Sequence, residues 1–79
     1  MSENEVAKEI TLGEKRVRTS FNPSSSNPVE QIKQEIASLI DKMELEKAIN
    51  PSGEKARLCS LAQTSLEEAA MWAVKAITS

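Results

Sequence analysis

The stretch GEKARLCSLAQTSLEEAAMWAVKAI, Gly53 to Ile77, decides the fold. It contains no proline, and its apolar residues recur mostly at spacings of three and four. Leu58, Leu61, Ala62, Leu66, Ala69, Ala73 and Ile77 mark one face of a helix. Cys59, Ala70, Trp72 and Val74 widen the apolar surface well beyond that face. Ser60, Gln63, Glu67 and Lys75 leave a narrow polar strip. One neighbouring helix cannot cover that breadth, and apolar surface rimmed by polar residues marks an interface. The alanines at 69, 70, 73 and 76 would let another helix approach closely.

Upstream, Asn50-Pro51-Ser52-Gly53 is a connector. Pro51 disfavours helical geometry at Asn50, and Ser52 is a good cap for the helix that follows. A link this short makes the flanking helices antiparallel neighbours. Before it, residues 28 to about 49 read as a long amphipathic helix. Val29, Ile32, Ile36, Leu39, Ile40 and Met43 form the stripe, and Asn27-Pro28 supplies cap and first position. Residues 21–27 are a turn-rich loop. Residues 1–20 read as an arm broken by Gly13, with a short strand near Arg16 to Ser20 and a tail over residues 1–9. No internal repeat is present. The expectation is an all-α antiparallel helical hairpin, residues 21–79, preceded by the arm.

A chain of 79 residues makes one domain with a marginal core. Small domains compensate with disulfides, a metal or self-association. Cys59 is the single cysteine and there is no histidine, so a homo-oligomer is the expected remedy and no metal or cofactor is expected. A lone cysteine suits a reducing cytoplasm. The charged, polar first ten residues do not form a secretory signal, and no apolar run approaches the length a membrane span needs. The net charge of -2 argues against long nucleic acid as a partner.

Signals of catalysis are nearly absent. Histidine, tyrosine and a Gly-rich phosphate loop are all missing. Cys59 inside an apolar face reads as a small buried hydrophobe. Glu67 and Glu68, adjacent on a helix, do not face one another and read as a solvated face or a salt bridge at an interface. One cluster stands out: Lys15, Arg16 and Arg18 precede Phe21 and Asn22, Lys33 follows, and Glu30 is the only acid between 15 and 33. Cations bind phosphate, an aromatic face stacks on a base, and a helix N-terminus favours an anion. The competing structural readings are a solvated arm and, for Phe21, a hydrophobic staple on the first turn.

The last helix resembles the signature helix of small bacteriophage proteins, the anti-CBASS cyclic-dinucleotide sponges, whose hairpin is shared with one class of anti-Thoeris sponge. An arginine opens that helix and a threonine follows seven residues on. Here the pattern falls on Arg57, Thr64, Leu66, Met71 and Lys75, and the resemblance covers about residues 16–79. It implies homohexamers, a pair of trimers, that hold signalling nucleotides in pockets between protomers without cleaving them, in the cytoplasm of the infected bacterium. Cyclic dinucleotides are the implied ligands; cyclic trinucleotides and cyclic ADP-ribose variants are held by some members. The resemblance gives Phe21 the stacking role and Lys33, in Gln-Ile-Lys, the phosphate contact. It departs from the family at Phe21, where tyrosine in Gly-Tyr-Arg is usual, and in a shorter spacing to the lysine. Arg16, Arg18 and Asn22 join the expected ligand set. Arg57, Thr64 and Lys75 are assigned to a second nucleotide site or to the oligomer interface. The alternative is a protein-interaction module that masks a host protein with its Ala-rich face.

Overall fold

The computed structural model describes residues 9–22 and 26–79, and these contain three helices and no strand. They are α1 (Leu12–Val17), α2 (Pro28–Ala48) and α3 (Gly53–Ile77). Most of the expected tail, and residues 23–25 of the expected loop, lie outside the described residues.

The two long helices begin where local chemistry places them. Asn27 Oδ1 accepts from the Val29 N–H at 2.9 Å, and Pro28 occupies the first helical position. Ser52 Oγ accepts from the Lys55 N–H at 3.1 Å. Between them the chain turns through Asn50, whose φ of 47° is left-handed. Lys55 ties the turn down, donating from Nζ to the Ile49 carbonyl and pairing with Glu46 at 3.4 Å. α2 and α3 pack along their lengths as the hairpin.

The expected strand near Arg16 to Ser20 does not form; Leu12–Val17 is a helix. Thr11 and Glu14 supply the reason, a reciprocal capping box. The Glu14 N–H donates to Thr11 Oγ1 at 3.1 Å, and the Thr11 N–H donates to Glu14 Oε1 at 3.0 Å. A six-residue helix is too short to stand alone, so packing must hold it. Gly13, read above as a break, is the point of docking. It lies so close to α2 that an added Cβ would sit 1.9 Å from the Ala37 carbonyl oxygen. Its N–H donates to Asp41 Oδ1 at 2.7 Å. Val17 then reaches the core, which comprises Val17, Ala37, Ile40 and Ala70 with Leu12, Ile36 and Leu66 packed against them.

The interior is small, and α3 presents to it a face rotated from the expected one. Cys59, Gln63 and Ala70, spaced by four and seven, point inward, while Leu58, Leu61 and Ala69 face out. Gln63, read above as part of the polar strip, is 0% exposed. Its amide accounts for the rotation: Nε2 donates to the Ile40 carbonyl at 3.1 Å and to Glu44 Oε1 at 3.0 Å, cross-linking the hairpin. That bond, with Lys47 beside it, holds the Glu44 carboxyl below its ordinary pKa. Cys59 is buried, as read. Leu39, placed in the α2 stripe, is exposed instead. Phe21 makes no hydrophobic staple and is 70% exposed. The molecule is 14 Å thin along its shortest axis, a single layer of helices. Leu58, Leu61, Met71 and Trp72 all remain exposed on α3.

Candidate functional site

The docking of α1 creates a recess on each side of it. The first, about 390 Å³, is lined by Arg16, Val17 and Arg18 from the end of α1, Lys33 from α2, and Glu67, Ala70, Met71 and Val74 from α3. Its apolar lining comes from α3 and from Val17 of α1, and its described residues carry three cations against one carboxylate. The sequence cluster Arg16, Arg18 and Lys33 is thus brought together in space, 17 residues of chain after Arg16 having folded back to deliver Lys33. The volume lies within the range of small-molecule sites.

The three cations differ in how they are held. Arg16 donates from Nε and Nη2 to Glu67 Oε1 at 3.2 and 2.7 Å, with a longer contact of Nη2 to Thr64 Oγ1 at 3.5 Å. Lys33 lies 3.9 Å from Glu30, at the edge of an ion pair, and Glu30 also accepts from Thr19 Oγ1 at 2.7 Å. Arg18 has no charge partner among the described residues. It is the C-cap of α1, with φ 64° and ψ 56°, a left-handed position that glycine fills at least cost. An arginine tolerated there, unpaired, at the mouth of a recess is available to an anion.

The second recess, about 700 Å³, is lined by Phe21 and Asn22, by Glu14 of α1, and by Gln31, Gln34, Glu35, Ala37, Ser38 and Asp41 of α2. Among the described residues it carries three carboxylates and no cation. Phe21 and Asn22 are therefore not gathered with Lys33, Arg16 and Arg18 within one chain. Gln34 Nε2, a donor beside this recess, is buried without a hydrogen-bond partner among the described residues.

Arg57, Thr64 and Lys75 share one side of α3 but form no single cluster. Arg57 and Lys75 are separated by about 27 Å of helix. Arg57 pairs with Glu54 at 2.7 Å, an exposed contact that raises the guanidinium pKa and lowers the carboxyl pKa. Thr64 belongs with Arg16. The Lys75 ammonium lies 5.7 Å from the centre of the Trp72 ring, whose Nε1 donates to Glu68 Oε2 at 3.4 Å. Glu67 was missed as a site residue. Its partner Arg16 is 51 positions away, so no local pattern could announce the pair.

A hairpin braced by a short helix, with a cationic recess at the brace, defines a small helical protein built around one supersecondary unit. Residues 13–78 match the family model described as Acb2/Tad1, hairpin domain, and the chain belongs to that family, the anti-CBASS and anti-Thoeris sponges. Neither the curated proteins nor the solved structures yield a match. Among the described residues, no group of His, Cys, Asp or Glu is placed to hold a metal ion, and no helix is long and apolar enough to cross a membrane.

Proposed function

We propose that the protein captures a cyclic nucleotide immune signal and holds it intact, so that the host effector awaiting that signal stays inactive. The observation that carries this reading is the cationic recess: Arg16, Arg18 and Lys33 converge over an apolar floor in a chain whose net charge is -2. Family membership over residues 13–78 supports it. Lys33 and Arg18 neutralise a phosphate in the recess, joined by Arg16, and Phe21 with Asn22 takes a base.

The separation of Phe21 from Lys33 bears on how the site is completed. A ligand that stacks on Phe21 and pairs with Lys33 needs the aromatic of one protomer beside the cations of another. The exposed Leu58, Leu61 and Trp72 side of α3 supplies a surface for that association, and the single-layer fold leaves it bare. The proposed assembly is a homohexamer in the cytoplasm of the infected bacterium. Ligand is held by binding alone, and the complex is stoichiometric.

Isothermal titration against a panel of cyclic dinucleotides, cyclic trinucleotides and cyclic ADP-ribose variants tests the reading. One or more binds, and boiling the complex releases it unchanged by mass spectrometry. Phe21→Ala and Lys33→Ala each weaken binding at least tenfold while the oligomer persists in sedimentation. A folded protein that binds no member of the panel refutes capture; wild-type affinity in both variants refutes the residue assignment. The same bare α3 surface favours a second reading, a module that masks a host protein. Recovery of a stoichiometric host protein from lysate, without nucleotide, would select it.

A further inference from the structure

The recess that gathers three cations also contains an anion of its own. Glu67 Oε1 occupies the Nε–Nη2 edge of Arg16, at 3.2 and 2.7 Å. That is the edge through which a guanidinium forks onto a phosphate. Resting on the capture reading above, we propose that Glu67 is a built-in competitor for the ligand's phosphate, a displaceable counter-ion that keeps Arg16 aimed at the recess and sets the affinity a ligand must exceed.

The geometry suits displacement. Glu67 is half exposed, its side-chain surface 45% accessible, while Arg16 is the more enclosed partner at 25%. The second carboxylate oxygen has no partner among the described residues, so the side chain is anchored through one oxygen only. A partly exposed pair of this kind is weak, and the glutamate swings into water at small cost. The same Nη2 also reaches Thr64 Oγ1, at 3.5 Å, so Arg16 keeps one long contact to α3 when the carboxylate leaves. A phosphate that enters meets Arg18 and Lys33 as well, which Glu67 does not touch.

The consequence is a threshold. The repulsion and exchange cost fall equally on every phosphate, so the ratio of affinities between two ligands is unchanged. All affinities are lowered together. A ligand held by further contacts, such as stacked bases and a second phosphate, remains bound at low concentration. A lone phosphate or simple mononucleotide is pushed out of its working range, which keeps abundant cellular anions from filling the site.

The test compares wild type with Glu67→Gln by titration, using the cyclic nucleotide panel and inorganic pyrophosphate. Glutamine keeps the oxygen that accepts from Arg16 and removes the charge. A carboxylate about 6 Å from a phosphate, screened between protein surface and water, corresponds to about fivefold in affinity. Glu67→Gln therefore binds both its cyclic nucleotide and pyrophosphate about fivefold tighter, with an unchanged melting temperature. In the wild type, saturating ligand shifts the Arg16 Nε–H resonance as its partner changes. Equal or weaker binding by Glu67→Gln overturns the proposal, since a merely structural Glu67 gives no gain. Should no cyclic nucleotide bind either form, capture falls; the counter-ion role is then decided by pyrophosphate, tighter binding in the variant supporting it and no gain refuting it.

Discussion

Replacing Gly13 with alanine reverses the usual sign of a glycine-to-alanine change in a helix. In an unobstructed helix interior that substitution stabilises by roughly 0.5–1 kcal/mol, because alanine has less backbone freedom to lose. At Gly13 the new Cβ meets the Ala37 carbonyl oxygen at 1.9 Å, the Ala37 carbonyl carbon at 2.7 Å and Asp41 Oδ1 at 2.9 Å. Two of these atoms are backbone of α2 and cannot rotate away. α1 must retreat by about 1.5 Å to restore ordinary van der Waals separation. The 2.7 Å bond from the Gly13 N–H to Asp41 then breaks. A hydrogen bond to a charged acceptor contributes about 1.5–3 kcal/mol. The retreat also uncovers part of Val17, whose full burial stabilises by roughly 1.5–3 kcal/mol. The net expectation for Gly13→Ala is a loss of about 2–4 kcal/mol after the backbone gain is subtracted. Gly53→Ala is the control, since nothing lies within 4 Å of its added Cβ. It should be neutral or stabilising by about 0.5 kcal/mol. Urea denaturation followed by circular dichroism, at one protein concentration so that association is held constant, measures both. Hydrogen exchange should accelerate in Leu12–Val17 of Gly13→Ala before it does elsewhere. A Gly13→Ala protein as stable as Gly53→Ala would refute the docking of α1 described above. Because Arg16 and Arg18 ride on α1, the same variant should also bind nucleotide more weakly.

Arg18→Gly should stabilise the fold by about 1 kcal/mol, because glycine suits the left-handed cap, while weakening nucleotide binding. Unchanged affinity in titration would remove Arg18 from the site. Gln63→Ala should cost about 2–4 kcal/mol by leaving a cavity between α2 and α3. Gln63→Leu removes the same amide but fills the volume, so it should cost distinctly less; equal losses in denaturation would contradict this. Glu44 has a folded pKa below its ordinary value, through Gln63 first and Lys47 second. Its contribution is present at neutral pH and is lost as the pH falls through the carboxylate range to the lowered folded value. Wild type should therefore lose more stability than Gln63→Leu between pH 6 and about pH 3; parallel pH curves would disprove the link.

The hairpin was legible in the chain because its boundaries are local. Asn27, Pro28, Pro51 and Ser52 act within a few residues of themselves, and the structure places both long helices where those residues put them. α1 had a local signal too, the Thr11–Glu14 capping box, but Gly13 reads as a helix breaker until α2 is seen pressed against it. Which side of α3 turns inward was not readable. Apolar residues lie on both sides of that helix, and the choice fell to Gln63, whose amide finds its partners on α2. Phe21 and Lys33 lie close in sequence yet line different recesses, whereas Arg16 and Glu67, 51 positions apart, pair at 2.7 Å in one of them. Caps and periodicity are properties of neighbouring residues, and a sequence carries them directly. Helix rotation, close backbone approach and the pairing of distant charges depend on which surfaces pack together, and only the assembled fold decides that.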